Sequence, residues 1–242
     1  MRIISATDTG LVRSSNQDSL ASGTFPDGAV WACVCDGMGG SNGGEYASSK
    51  AVEVIERQLC AGYKNGMHGS RLRTLMDRAV QAANIEVYTT ALDDPSLFGM
   101  GTTVVAAIVS GGTVYTAHAG DSRAYRISGG RLVQLTVDHS MVQELVDSGR
   151  LTPEQAKNHP RKNIITRALG IYGAVELDYT ESPFGSGDKL LLCSDGLSNY
   201  VEPEGIIELA AECPAEELAD IYIKEACANG GGDNVTAVII YE

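Results

Sequence analysis

Four aspartates stand where strand-like apolar runs meet glycines. Asp36 and Asp195 each end such a run and precede a glycine, and Asp121 follows another run and its glycine. Asp233 comes after three glycines, just before the last apolar run of the chain. Ionised aspartate is rarely buried without a cation or hydrogen-bond donors, so packing alone explains this placement poorly. Taken singly, each motif is also typical of a plain turn, and that alternative stays open.

The recurrence of the pattern favours one shared site over four separate turns. If the final strand runs antiparallel to the strands that end at Asp36 and Asp195, its first residue lies at the same sheet edge as their last residues. Carboxylates that converge repel one another unless positive charge lies among them. Hard divalent cations prefer oxygen ligands of this kind. The four aspartates together therefore predict a site for one or more divalent cations.

Arg13 lies in the polar connection of residues 10–18. A lone arginine in a loop is usually a solvated charge. Beside a cluster of bound cations, however, a guanidinium is well suited to hold phosphate oxygens, because its fork of donors matches their geometry. Both interpretations of Arg13 stay open on the residue pattern alone.

Length and composition are those of an ordinary globular protein. The chain has 242 residues, of which 43% are hydrophobic and 20% are charged. It can bury a sizeable core, and no linker divides it, so we expect one domain over residues 1–242. No run approaches the roughly 18 apolar residues of a membrane span, and the first residues lack the apolar segment of a signal peptide. These features predict a cytoplasmic protein with no membrane partner.

Charge and cysteine content exclude other classes of function. The net charge of −13 disfavours nucleic acid as a partner, because phosphate backbones repel an acidic surface. The six cysteines stand mostly in apolar runs or helical patterns, and no spacing typical of a zinc site or a CxxC redox pair occurs. We expect them to be reduced residues of the core.

The periodicity of apolar residues predicts the elements that hold these side chains. Apolar runs predict strands over residues 2–7, 29–36, 102–110, 113–119, 124–128, 132–136, 175–181, 189–193 and 235–241. Helical spacing predicts helices over residues 45–60, 70–92, 139–149, 203–212 and 214–229. Ser70 is the expected N-cap of the second helix, and Thr152 begins a capping box. Strands that are apolar on both faces need cover on both sides, which favours two packed sheets flanked by helices.

Seven motifs, in their order and spacing, resemble those of the PPM family, the metal-dependent serine/threonine protein phosphatases of type 2C, in their compact bacterial form. The motifs are RSSNQD (13–18), DGMGG (36–40), GTT (101–103), GDSR (120–123), DHS (138–140), SDG (194–196) and GDN (232–234). The resemblance implies an α+β fold, a four-layer α-β-β-α sandwich of two antiparallel sheets with a flap insertion. It also implies hydrolysis of phosphoserine and phosphothreonine in proteins by in-line attack of water, with two to three Mn²⁺ or Mg²⁺ ions.

The resemblance implies a metal-binding role for each matching carboxylate. Asp36 resembles the ligand that bridges both catalytic metals, and Gly37 the residue whose carbonyl binds the second metal. Asp195 and Asp233 resemble ligands of the first metal. Asp121, together with Asp195, is similar to the pair that holds a third and weaker metal in bacterial members.

Four further residues match family positions around the metals. Arg13 matches the arginine that binds the phosphate. Gln17 and Asp18 match residues that orient the attacking water, and Asn234 matches a residue that supports the metal ligands. Because such outer groups orient the ligands, they belong to the predicted site.

The resemblance identifies residues 139–169 with the variable flap of the family. Within it, residues 158–163 form a basic, turn-prone segment in an acidic chain, and insertions beside active sites often contact substrate. We therefore expect substrate contacts from Ser140, Arg161 and Lys162.

One residue departs from the animal members of the family. Two positions after the bridging aspartate they carry a histidine that is thought to protonate the leaving alkoxide, whereas this chain has Met38, which cannot donate a proton. The general acid is therefore unassigned.

The alternative function is that of a catalytically weak regulatory member that binds phosphoproteins or a kinase, but such a member would be expected to lack a ligand aspartate. The expected partners are phosphorylated proteins, including a serine/threonine kinase, and the expected state is a monomer.

Overall fold

The computed structural model describes residues 1–40 and 43–242, and over these residues the strands form two antiparallel sheets. The strands are β1 (Arg2–Asp8), β2 (Asp18–Thr24), β3 (Val30–Met38), β4 (Gly101–Thr102), β5 (Val104–Ser110), β6 (Thr113–Ala119), β7 (Arg123–Ser128), β8 (Arg131–Gln134), β9 (Asp178–Pro183), β10 (Lys189–Cys193) and β11 (Val235–Tyr241). The first sheet has the order β1-β11-β10-β7-β8, and the second has the order β2-β3-β5-β6-β9, with β4 paired to β3. All these pairs are antiparallel.

Helices cover the outer face of each sheet. The α-helices of the described residues are α1 (Gly40–Gly62), α2 (Ser70–Asp93), α3 (Met141–Asp147), α4 (Pro153–Lys157), α5 (Asp195–Ser198), α6 (Pro203–Glu212) and α7 (Leu218–Ala228), of which α3 and α4 belong to the flap. Buried side chains of α1 and α2 pack on the second sheet, and those of α6 and α7 pack on the first. Within the described part of the chain, no helix combines the length and apolarity that a membrane crossing requires.

A third apolar cluster lies between the two sheets. Val34 and Val105 of the second sheet and Leu192 and Val238 of the first belong to it, and all four side chains are fully buried. Every residue of β5 and β11 is buried, as expected for strands that pack on both faces. Burying one such side chain contributes about 1.5–3 kcal/mol to stability. The predicted α-β-β-α layering is therefore confirmed.

Several predicted boundaries differ from the structure, among them the starts of one helix and one strand, and one predicted helix cap is wrong. The first helix begins at Gly40 rather than at residue 45. The N-cap of α2 is Gly69, with φ of 54°, so Ser70 is already helical and caps nothing. The strand predicted from residue 175 begins at Asp178, because the backbone of Val175 bonds to the side chain of Gln81 in α2 instead of to a strand. The predicted capping box at Thr152 is confirmed.

The strand ends that carry the aspartates belong to different sheets. Asp36 lies in β3 of the second sheet, whereas Asp195 follows β10 and Asp233 precedes β11 in the first. The hypothesis that all of them share one sheet edge is therefore wrong. They meet across the interface between the sheets, at the end of the sandwich that also carries the Arg13 loop.

Candidate metal centre

Most of the predicted site residues line one cavity of about 460 Å³ at this end of the sandwich. Its walls include Arg13, Gln17, Asp36, Gly37, Met38, Asp121, Asp195, Asp233 and Asn234. The predicted convergence of the four aspartates is confirmed, and their roles as metal ligands remain predictions. Ser14 and Ser15 of the RSSNQD motif and Asn163 of the basic segment also line the cavity, as does Ile165, which no pattern in the sequence singled out.

The backbone of Asp36 is fixed by two threonines, Thr102 at the end of β4 and Thr103 directly after it. The Asp36 N–H donates to Thr103 Oγ1 at 2.9 Å, and its carbonyl accepts from Thr102 Oγ1 and the Thr103 N–H, each at 2.9 Å. This arrangement explains why the strand predicted over residues 102–110 is interrupted at Thr103. The carboxylate of Asp36 is thereby held at a defined place at the bottom of the cavity.

Close contact between loops requires glycine beside two of the aspartates. A Cβ on Gly37 would overlap the carbonyl oxygen of Gly44, and one on Gly196 would overlap the carbonyl oxygen of Asn234. The Gly37 N–H also donates to the carbonyl of Gln17 at 3.0 Å. These contacts bring the backbone after Asp36 against the loop of Arg13, which no local sequence pattern predicts.

Asp195 and Asp233 have different partners. Asp195 Oδ2 accepts from Asn199 Nδ2 at 2.9 Å, while its buried Oδ1 has no hydrogen-bond partner among the described residues. Asp233 Oδ2 accepts from an Arg13 terminal nitrogen at 2.8 Å. Arg13 therefore lines the cavity and pairs with Asp233 rather than standing alone, although its side chain remains about half exposed. Its role in binding phosphate remains a prediction.

Burial and mutual repulsion destabilise the charged forms of these carboxyls. Burial, followed by repulsion from Asp18 and Asp195, raises the pKa of Asp36 well above its ordinary value. Burial and repulsion from neighbouring carboxylates likewise raise the pKa of Asp121 and of Asp195. Divalent cations would relieve both costs, because they replace lost hydration and cancel the repulsion. The unpaired Asp195 Oδ1 is a fitting ligand atom, so the residues present fit such cations.

Asp18 lies behind the cavity rather than on its wall. It is opposite Asp36 in the pairing of β2 with β3, and its Oδ2 accepts from Ser194 Oγ at 2.6 Å and Thr236 Oγ1 at 2.7 Å. Its buried Oδ1 has no partner among the described residues. Sequence reasoning missed both hydroxyl partners, because three distant strands meet here.

Asn234 fixes the Arg13 loop through its side-chain amide. Its Oδ1 accepts from the Gln17 N–H at 2.8 Å, and its Nδ2 donates to the carbonyls of Thr9 and Ser15, each at 2.9 Å. The Gln17 side chain donates in turn to the Gly40 carbonyl at 2.7 Å. Asn234 thus supports the site by holding backbone.

The flap (residues 139–169) borders a second cavity of about 550 Å³ that shares Asp121 and Asp195 with the first. Lys162 lines it, and Arg161 is exposed on the flap. Ser140 is buried, and its hydroxyl caps α3 by accepting from the Gln143 N–H at 3.2 Å. Ser140 also lines this cavity, and substrate contact by these three residues remains a prediction.

A second group of potential ligand atoms comes from His118, His139 and Asp178. The two imidazole rings are stacked, with centroids 4.6 Å apart and planes 5° apart. Because the nitrogen lone pairs lie in the ring planes, stacked rings cannot both direct a lone pair at one ion. Arg167 also donates to Asp178 Oδ1 at 2.9 Å. The group is therefore better suited to hold the base of the flap than to bind a metal.

Replacing Gly196 by alanine is expected to abolish divalent-cation binding in calorimetry while leaving most of the sandwich folded. The added Cβ overlaps the Asn234 carbonyl, so the loop of Asp233 must move. Gly185→Ala is the matched control, because its Cβ meets no atom within 4 Å. Unchanged cation affinity in Gly196→Ala would show that the close loop contact does not position Asp233.

Comparison with known proteins gives consistent matches. Residues 12–220 match the sequence profile of the protein phosphatase 2C family. The serine/threonine phosphatase stp of Listeria innocua is 41% identical over 239 residues, covering 97% of this chain and 93% of the relative.

Two solved structures extend the match to the fold. The S. agalactiae serine/threonine phosphatase has a TM-score of 0.92 at 34% identity and covers 100% of this chain and 99% of that one. The catalytic domain of the phosphatase PstP, solved with two manganese ions, has a TM-score of 0.85 at 38% identity, covering 98% and 96%. The chain therefore belongs to the protein phosphatase 2C family of metal-dependent serine/threonine phosphatases.

Proposed function

We propose that this chain dephosphorylates phosphoserine and phosphothreonine in proteins at the cavity between its two sheets. One observation carries the assignment of the site: four aspartates from separate strand ends meet in one cavity that has Arg13 on its rim. Such a concentration of buried carboxylates beside a guanidinium suits two or three divalent cations and a phosphate group.

The side chains divide the metal-binding work. Asp36 lies between the sheets and would contact two cations, with the Gly37 carbonyl on the second of them. Asp195 and Asp233 would hold the first cation, and Asp121 with Asp195 would hold a third and weaker one. When bound, Mn²⁺ or Mg²⁺ acidifies water at neutral pH and offsets charge on the phosphoryl oxygens.

Arg13 would orient the phosphate. Its contact with Asp233 directs the guanidinium to the cavity before substrate arrives. The fork of donors can then bind two phosphoryl oxygens and stabilise them as their charge redistributes during in-line attack. The buried Oδ1 atom of Asp18 has no partner among the described residues, and a water between it and the cavity would be oriented by donating a hydrogen bond to it.

A cysteine nucleophile has no support here. Among the described residues, no cysteine lines the cavity. Burial raises the pKa of both Cys33 and Cys193 to about 12, so their thiols stay protonated at neutral pH. Direct attack by water, without a covalent phospho-enzyme, is therefore the proposed route.

Several features of the biological setting belong to the proposal. We infer that the phosphatase opposes a serine/threonine kinase, works in the cytoplasm and acts as a monomer with one catalytic domain over residues 1–242.

A missing ligand aspartate would favour a purely regulatory role. None of the proposed ligand aspartates is missing, because the cavity contains Asp36, Asp121, Asp195 and Asp233.

Turnover of a phosphoserine peptide with and without divalent cations tests this function. After treatment with a chelator, phosphate release is expected to stop, and it should return when Mn²⁺ or Mg²⁺ is added in excess. Phosphate release at the full rate from metal-free protein would contradict the proposal. Peptide binding with no turnover at any Mn²⁺ concentration would favour the regulatory role instead.

A further inference from the structure

His139 connects the loop of Asp121 to the base of the flap. Its Nδ1 accepts from the Gly120 N–H at 3.1 Å, and its own backbone N–H donates to the Gly120 carbonyl at 2.9 Å. The side chain is 7% exposed. Gly120 directly precedes Asp121, so this pair of bonds fixes the backbone on one side of that carboxylate.

The hydrogen bonds define the form of the His139 ring. A backbone N–H can only donate, so Nδ1 is unprotonated and the proton lies on Nε2, which faces Asp178 Oδ2 at 3.2 Å. Arg167 Nη1 also lies 3.1 Å from Nε2, but a guanidinium can only donate, so Arg167 bonds to Asp178 and not to the protonated Nε2. Burial lowers the pKa of His139 below its ordinary value, which is consistent with a neutral ring. The two nitrogens therefore have separate tasks: Nδ1 holds Gly120, and Nε2 holds Asp178.

The other side of Asp121 is fixed as well. Ser122 Oγ lies 2.7 Å from Thr103 Oγ1, and that same threonine hydroxyl accepts from the Asp36 N–H. The backbone of Asp121 is thus held by His139 before it and by Thr103 after it.

His139 also joins the two ends of the flap. The Thr166 N–H, near the end of the flap, donates to the His139 carbonyl at 2.8 Å, and Arg167 donates to the same Asp178 carboxylate that His139 contacts. Closure of the flap base and the position of Asp121 therefore depend on one residue.

We propose that His139 is a positioning residue whose bond to Gly120 sets the affinity of the third, weaker cation site at Asp121. The inference rests on the proposed function, because the cation site is part of it. Losing a group that orients a ligand typically lowers metal affinity about 10–100-fold.

Two substitutions separate the tasks of the two ring nitrogens. In His139→Asn the amide oxygen can take the place of Nδ1 and accept from Gly120, but it cannot reach Asp178. In His139→Gln the amide nitrogen can take the place of Nε2 and donate to Asp178, but the Gly120 N–H loses its acceptor. We expect weak-site affinity for Mn²⁺ to fall about 10–100-fold in His139→Gln and to stay near wild type in His139→Asn.

Calorimetric titration with Mn²⁺ and the Mn²⁺ concentration for half-maximal turnover are the two readouts. The two tight sites should be unchanged in both variants. Equal weak-site affinities for Mn²⁺ in the two variants would overturn the inference. A wild-type protein that hydrolyses phosphoserine but binds no third Mn²⁺ ion more weakly than the first two would also overturn it. A wild-type protein that binds no Mn²⁺ at all would instead overturn the proposed function.

A measurement on the wild-type protein covers the case in which both variants fail to fold. Nitrogen-15 NMR of His139 should show the proton on Nε2, and the Gly120 amide should shift when Mg²⁺ fills the weak site. A proton on Nδ1, or a Gly120 amide that is insensitive to Mg²⁺, would overturn the inference without reference to activity.

Discussion

Replacing Asp36 by asparagine is expected to lower phosphoserine turnover at saturating Mn²⁺ by about 10³-fold or more. The charge stabilisation that bound cations supply is worth several kcal/mol, and each 1.36 kcal/mol corresponds to about a factor of ten in rate. Asp36 is the carboxylate proposed to contact two cations, so its amide should weaken both sites. Initial rates of phosphate release across a Mn²⁺ series measure the effect.

The same substitution should make the metal-free protein more stable. Burial and repulsion raise the pKa of Asp36 in the folded state, so ionising it opposes folding. When the pKa of a carboxyl is higher in the folded state than in the unfolded state, its protonated form favours folding. This contribution to the free energy of unfolding is fully present below the unfolded-state pKa and is lost as pH rises through the folded-state pKa. The unfolded value is near 3.8, and the folded values are about 6 for Asp195 and about 8 for Asp121.

In chelator, the melting temperature of the wild type should therefore fall between about pH 4 and about pH 8. The decrease in melting temperature should be smaller for Asp36→Asn, because one buried charge is absent and the remaining carboxylates repel one another less. Asp93→Asn, at the exposed end of α2, is the matched control and should behave as wild type in both assays. Wild-type turnover in Asp36→Asn would remove Asp36 from the proposed site.

Wild-type rates are expected to depend steeply on the pKa of the leaving group. Met38 ends β3 and lines the cavity at the position where animal members have a histidine, and its thioether cannot donate a proton. A serine alkoxide needs protonation to leave, whereas a phenolate leaves readily. A general acid typically contributes a factor of about 10²–10⁴ to the rate. Without one, alkyl phosphates such as phosphoserine should be hydrolysed more slowly than aryl phosphates.

Met38→His should flatten that dependence by raising phosphoserine turnover relative to aryl phosphate turnover. Met38→Leu is the matched control, because it also lacks a donor and should keep the steep dependence. The series of leaving groups is measured under conditions in which the chemical step limits the rate. A flat dependence in the wild type would mean that another donor is present and that the acid position is not empty.

The convergence of the aspartates was predictable because it depends on a pattern that recurs along the chain. Each strand end carries its own aspartate and glycine, and such local features can be read without the fold. The sheet to which each strand belongs was not predictable in the same way. Asp36 and the strand that precedes Asp195 belong to different sheets, because strand pairing is decided by contacts between distant residues.

Tertiary contacts also decided where the first helix begins. The segment around Gly43 and Gly44 has poor helix propensity, so a start near residue 45 was the reasonable expectation. In the structure these glycines belong to α1 and pack closely on Met100 and on the backbone of Gly37. Any larger side chain would separate the helix from the loop that follows Asp36.

The supporting network was not predictable for a related reason. Asp18 bonds to Ser194 and Thr236, and Thr103 bonds to Asp36 and Ser122, but serine and threonine are common and carry no distinctive spacing. In the sequence, His139 is only the first residue of the helix predicted over residues 139–149 and a member of the DHS motif. Its actual contact with Gly120 depends on two loops that meet only in the folded protein.

Anomalous diffraction from crystals grown with Mn²⁺ tests the central claim most directly, because it locates the cations independently of activity. The account predicts at least two strong peaks within about 2.2 Å of carboxylate oxygens of Asp36, Asp195 and Asp233. Peaks at His118, His139 and Asp178 with none among these aspartates would contradict it.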